Sequence, residues 1–255
     1  MKRVFRRARV TAGLGALALT AGLAATAPAA SAGTGYQPSA ADFANCPKLP
    51  SGASSLLWNC LAIVITGGEM KLGGLTQQIT KPITIPVAVG LQDWKIQLRT
   101  PDGGFRSDPL DVPPEALPLP LPGVTAQVEQ AGDIAPGKLL IPDVLPIKIK
   151  VNSLLFGNDC YIGSDAEPIA LKPGLGDLGL ATVNGQFVIK TTISDKTFAV
   201  PAAKNCSLLT GVLNNLTKLP SPSGANSATL NTVIRVKNYA FGEDTKSFAK
   251  DQGIH

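Results

Sequence analysis

Residues 147–152 read Ile147, Lys148, Ile149, Lys150, Val151, Asn152, and the unbroken alternation decides the fold. Successive side chains of a strand point to opposite faces, so Ile147, Ile149 and Val151 belong to a core and the lysines to solvent. The same period returns upstream, where Ile79, Ile83, Ile85, Val87 and Val89 share one parity and Thr80, Thr84 and Ala88 the other. Pro82 and Pro86 interrupt that stretch, and because proline cannot donate to a ladder it predicts an edge strand or a bulge.

Working outward, strands begin at about Leu56. Leu61 to Thr66 is a continuous apolar, β-branched run closed by Gly67 and Gly68, which suits a buried strand. Val124 to Gln130 gives another strand. Asn184 and Gly185 separate Leu180–Val183 from Phe187–Ile193, a pattern that predicts a tight hairpin. In Thr229 to Lys237, the residues Leu230, Thr232, Ile234 and Val236 oppose Asn231, Arg235 and Lys237. One short helix is expected between Asn205 and Leu216. There Leu208, Leu209, Val212, Leu213 and Leu216 recur at helical spacing, Asn205 is placed to cap, and the helix should pack on the sheet or plug one end. About ten strands with one short helix predict a mainly β chain, an antiparallel sandwich or barrel.

Between these strand sets the order breaks. Asp102, Gly103 and Gly104 form a turn signal, followed by Pro109, Pro113, Pro114, Pro118, Pro120 and Pro122. Leucine and proline alternate from Leu117 to Pro122, which favours an extended polyproline segment. The stretch 109–123 therefore reads as a proline-rich crossing that lays Leu110, Leu117, Leu119 and Leu121 on the core. A peptide-recognition motif is the rival reading, and it is the rarer use of such loops.

The N-terminus carries Lys2, Arg3, Arg6, Arg7 and Arg9, then an uncharged run from Val10 to Ala27, then Ala30, Ser31 and Ala32. That is a signal-peptide layout. Residues 1–32 are expected to be removed, with Gly33 opening the exported chain, 33–241 forming one domain and 242–255 a charged tail that frays. The leader holds five of the 23 basic residues and no acidic ones, so 18 basic residues stand against 18 acidic in the remainder. A nucleic-acid partner needs a surplus of cations and is not expected.

Cys46, Cys60, Cys160 and Cys206 are an even set, and export makes disulfides the natural reading. Three pairings are possible, and the spacing favours Cys46 with Cys60 and Cys160 with Cys206. A four-thiolate zinc site would need closely spaced pairs, which the sequence lacks.

Imidazole chemistry has little to work with, because the only histidine is His255, the last residue. A triad holds its histidine in place through a third group, which a terminus cannot provide. Carboxylate-pair hydrolysis would draw on Glu69, Glu115, Glu129, Glu167 and Glu243, the only glutamates. None has an aromatic sugar platform beside it, since Trp58 and Trp94 are flanked by core-like strands. No catalytic residue and no cofactor is therefore assigned. Asp159, Asp165 and Glu167 could supply oxygens to calcium, although a pinned turn with solvated acids explains them equally well.

The pattern Cys160, Ile162, Gly163, Ser164, Pro168, Ile169, after an alternating strand and behind an Ala-rich leader, resembles a group of secreted proteins of unknown function from high-GC Gram-positive bacteria. The resemblance covers the middle of the chain. It implies an exported, disulfide-bonded β domain and carries no activity, so it transfers no residue role. The functions in play are a non-catalytic extracellular or envelope-associated binding protein for an apolar, lipid-like ligand, a cell-surface structural protein that assembles through edge strands, and, least favoured, a carboxylate hydrolase.

Overall fold

The computed structural model describes residues 35–114, 117, 123–137, 141–251 and 253–254; the leader, the expected cleavage site at Ala32, Leu119, Leu121 and His255 lie outside these. In chain order the strands are β1 (Trp58–Leu72), β2 (Leu75–Gln78), β3 (Ile83–Gln92), β4 (Lys95–Arg99), β5 (Leu110–Asp111), β6 (Thr125–Gln130), β7 (Leu145–Asn152) and β8 (Tyr161–Ile162). Then follow β9 (Ile169–Leu171), β10 (Gly174–Leu175), β11 (Gly179–Val183), β12 (Gln186–Asp195), β13 (Ala203–Lys204), β14 (Ser227–Asn238) and β15 (Gly242–Glu243). Two short helices, α1 (Thr210–Thr217) and α2 (Thr245–Asp251), complete the list.

All pairings are antiparallel and make two sheets, one along β10-β12-β14-β1-β3-β4 and the other along β13-β8-β7-β6-β5. One core joins them: Leu61, Ile63 and Ile65 of β1 and Ile85 and Val87 of β3 meet Ile147, Ile149 and Val151 of β7. The fold is mainly β, two antiparallel sheets packed as a sandwich, one of the two arrangements, sandwich or barrel, that the sequence allows.

Strand β1 is apolar on both parities because both of its faces are covered. Leu61, Ile63 and Ile65 face the second sheet, while Cys60, Ala62 and Val64 pack under Phe43 and Tyr36 of the N-terminal segment. Gly67 and Gly68 do not end this strand, as the sequence suggests. The register slips by one residue between Ile65 and Gly67 and the strand runs on to Leu72, so the glycines are a bulge. Gly68 has φ +116°, and a Cβ there would overlap the Thr229 carbonyl oxygen.

Pro86 is accommodated because β4 pairs with β3 only from Ala88 onward. Along its first half β3 is an edge, and the missing N–H faces no neighbour. The predicted hairpin forms with Val183 opposite Gln186 and left-handed φ at Asn184 (49°) and Gly185 (76°).

Two segments differ from the sequence reading. The helix starts later than Asn205, which sits at φ 59° and caps nothing. Instead Ser207–Leu209 make a 3-10 turn, and the Cys206 N–H donates to Thr210 Oγ1 at 2.9 Å. Of α1 only Leu213 and Thr217 are buried. Asn214 holds the helix to β13, accepting from Ala203 N at 2.7 Å and donating to Ala203 O at 2.9 Å. The C-terminal stretch expected as a charged tail contains regular structure. It forms β15 and α2, with Thr245 and Ala249 buried and Phe248 and Ile254 packed on the core; the apolar residues are so spaced among lysines and aspartates that composition hides them.

Both disulfides take the favoured pairing, Cys46–Cys60 with Cα atoms 5.8 Å apart and Cys160–Cys206 at 4.2 Å. By loop-closure entropy they contribute about 3 and about 4 kcal/mol. The first fastens the N-terminal segment to β1, and the second fastens the start of the helical segment beside β8.

Candidate functional site

The space between the sheets is incompletely filled. At the end where β1 and β2 turn, an apolar cavity of ≈ 60 Å³ lies between Met70, Leu72 and Leu75 of the first sheet and Ile149 and Val151 of the second. The proline-rich crossing closes it through Leu110, Val112 and Leu117, and Phe156 and Leu213 form its end wall. A second apolar cavity of ≈ 40 Å³ lies between Ile63, Ile65, Ile85 and Val87 and the facing Leu145 and Leu171. Such spaces leave their lining without partner atoms and forfeit dispersion energy, and apolar walls keep them dry.

Of the crossing, residues 109–114, 117 and 123 are described. Leu110 is buried and Leu117 partly so. Its start is pinned by the pairing of Leu110 with Ala126 and Asp111 with Thr125, and Val112 N donates to Val124 O at 3.0 Å. Lys81 lies 3.1 Å from Asp111, and Gln77 Nε2 donates to the Asp111 carbonyl at 3.2 Å.

Polar groups near these cavities are already engaged. Asp195, at the rim of the smaller one, accepts from Lys172 N at 2.6 Å, Thr197 N at 2.7 Å and Thr197 Oγ1 at 2.8 Å. Each glutamate among the described residues has a different partner. Glu69 accepts from Gln78 at 2.5 Å, Glu167 lies 2.5 Å from Lys204, and Glu243 lies 2.6 Å from Arg235. Buried Glu129 lies 3.1 Å from Arg106 Nε, in ion-pair range but off the hydrogen-bond direction. Glu115 falls outside the described residues. The Lys204 hydrogen bond, and then its charge, holds the Glu167 carboxyl below its ordinary range.

The acidic loop is divided in the same way, with Asp165 held by Lys148 at 2.8 Å and Glu167 by Lys204. Among the described residues no three metal-binding side chains are gathered. Trp58 is fully buried, while Trp94 is 93% exposed at the tip of the β3–β4 hairpin, unlike the core-flanked position read from sequence.

The residue that the sequence reading missed is Arg235. Its parity pointed it to solvent, and it does lie on the outer face, but the N-terminal segment covers it to 1% exposure. Nη1 lies 2.5 Å from Asp42 Oδ2 and Nη2 2.6 Å from Glu243 Oε2, with the Phe43 ring centre 5.0 Å from the guanidinium carbon. Burial alone pulls its pKa down, yet the hydrogen bonds it donates to Asp42 and Glu243, with their charges, prevail and raise it. Tyr36 donates to Asp42 at 2.6 Å, and burial followed by that carboxylate pushes its hydroxyl pKa up. The available signal was Asp42 in a short N-terminal turn, a carboxylate with no cation near it in sequence.

Fold and site together define a disulfide-bonded antiparallel β-sandwich with apolar inter-sheet cavities. Two disulfides fit an oxidising compartment, and among the described residues no helix is long and apolar enough to cross a membrane. No protein-family model, no curated protein and no solved structure matches the chain.

Proposed function

We propose that this chain is exported, by way of the 1–32 leader, as a non-catalytic extracellular or envelope-associated protein that binds an apolar, lipid-like ligand between its sheets. The observation that carries the reading is the apolar cavity roofed by the proline-rich crossing. A pocket lined by hydrocarbon and closed by a segment anchored at a two-residue strand suits a ligand with acyl character. At ≈ 60 Å³ it is smaller than the roughly 150 Å³ that accepts benzene. On this reading Leu110 and Leu117 must move outward before a ligand can occupy the site.

The edge strands leave limited room for assembly by strand addition. Of the sheet edges, β5, β10 and β13 are two residues long and β4 presents Lys95 and Arg99, whereas β11 is a five-residue edge without charge. Short and cationic edges resist pairing with further chains. Organic extraction of purified protein followed by mass spectrometry tests the proposal, with a stoichiometric lipid expected. Ligand-free protein that forms concentration-dependent multimers would instead establish the structural role, and turnover of cell-wall glycan the hydrolase.

A further inference from the structure

The end of the sandwich that houses the larger of these two cavities also exposes a set of aliphatic side chains. In the loop after β7, Leu154 is fully exposed and Leu155 half so, flanking buried Phe156. In the segment leading into α1, Leu208 is 98% exposed, Val212 is half exposed and Leu216 about a third. The Cys160–Cys206 disulfide draws the two segments together, and each sends one residue, Phe156 or Leu213, into the cavity wall. Neither 151–158 nor 205–217 contains a charged residue.

We propose that this leucine rim inserts into the apolar layer of a lipid bilayer, so that the protein collects its ligand directly from a membrane; the ligand half of this rests on the function proposed above. Three observations choose a bilayer over a second copy of the chain. Charge is absent, as burial in hydrocarbon demands. The rim and the cavity share a wall, so a lipid tail leaving the membrane meets Phe156 and Leu213 next. The patch is also small: five exposed apolar residues are far fewer than the roughly 20–30 a side of a stable protein interface.

Protein purified after export, with its N-terminus sequenced to show that the Val10–Ala27 run is gone, is mixed with phosphatidylcholine vesicles and floated on a density gradient. Wild type is expected to rise with the vesicles, and to do so equally at raised salt, since no charge drives it. The Leu154→Asp/Leu208→Asp variant should lose this partitioning by roughly tenfold or more, with its circular dichroism unchanged because both positions are exposed. Trp94→Ser, an exposed apolar residue at the opposite end of β1, should float as wild type does. Wild type that stays at the bottom, a double variant that floats equally well, or a rim-dependent dimer would each overturn the proposal. Uptake of a soluble fluorescent fatty acid separates the two claims: if the double variant takes it up but does not float, both stand, whereas flotation by wild type without uptake sinks only the ligand.

Discussion

The Arg235–Asp42 pair allows a quantitative test of how the outer face is held. Arg235 is 1% exposed and its Nη1 touches Asp42 at 2.5 Å. Removing one partner of a buried pair costs about 3–5 kcal/mol because the other charge is left without compensation. In Asp42→Ala the guanidinium keeps Glu243, but that carboxylate is 37% exposed, so the lower end, about 3 kcal/mol, is expected. Arg235→Met strands Asp42, which still accepts from Ser39 N at 3.1 Å and from Tyr36 Oη at 2.6 Å. With those bonds retained the cost should be about 2 kcal/mol. The double variant has no orphaned charge at this pair, and its loss should fall short of the summed single losses by about 2 kcal/mol. Urea unfolding of the four proteins measures this, provided the m value is common to all. Single losses that add to within about 0.5 kcal/mol in the double variant would mean that the two groups do not couple, and the account of the N-terminal segment as an electrostatically latched cover would be wrong.

Other expectations concern packing, cross-links and pH. A Cβ at Gly90 would overlap the buried Trp58 ring, so Gly90→Ala should destabilise by about 3 kcal/mol. It should also shift Trp58 emission to the red, measured in a Trp94→Phe background because exposed Trp94 would mask it. Losing Cys160 should loosen α1 more than losing Cys46 does, by an amount within about 2–5 kcal/mol, and hydrogen exchange of α1 amides reads the difference. Asp244 has its pKa raised above the ordinary 3.8, chiefly by desolvation. The folded state therefore binds this proton more tightly than the unfolded state, and the contribution to stability falls as pH rises from 3.8 through the raised value. Asp244→Asn should flatten that part of the pH–stability curve and stabilise the protein above it; an unchanged slope in thermal melts would contradict the assignment.

The sandwich was legible wherever one face of a strand is dry and the other wet, as in Ile147–Asn152, because period 2 then appears directly in residue type. The disulfides were legible because each closes a region on itself. The outer cover of the first sheet was not. Ala62 and Val64 announced a second buried face, but nothing local says that residues 36–46 supply it, since the link from Asp42 to Arg235 spans 193 positions. Gly67 and Gly68 were misread as a boundary because a bulge and a turn use the same residue for the same conformational freedom. The helix lies inside the expected stretch but starts later than Asn205, and its buried face was misjudged. Leu208, Val212 and Leu216 look like a core stripe by spacing, and only tertiary placement shows that Leu213 and Thr217 are the buried residues, with Leu209 partly packed on the core. The cavity could not be read at all, because an unfilled volume is a property of how two sheets meet and no residue type encodes it.

The first sheet is thus covered in two physically different ways, and the difference locates where the molecule can open. Its outer cover is held by a disulfide, a buried ion pair and the Tyr239 hydroxyl donating to Pro47 O at 2.5 Å, with burial pushing that hydroxyl pKa up to about 12. Displacing it would leave Arg235 with Glu243 as its one remaining carboxylate, at a cost of about 3 kcal/mol. On the inner side the described start of the crossing is held by the two-residue β5, by the Val112–Val124 and Gln77–Asp111 hydrogen bonds and by the Lys81–Asp111 pair, whose side chains are 51% and 74% exposed. Exposed pairs of that kind contribute about 0–1 kcal/mol. Lifting the crossing exposes Leu110 and Leu117 to water, but an apolar ligand entering beneath them restores the lost contacts and fills a space that was empty beforehand. In the proposed opening Leu110 and Leu117 therefore lift away from the apolar cavity they help to line, beside the uncharged leucine rim.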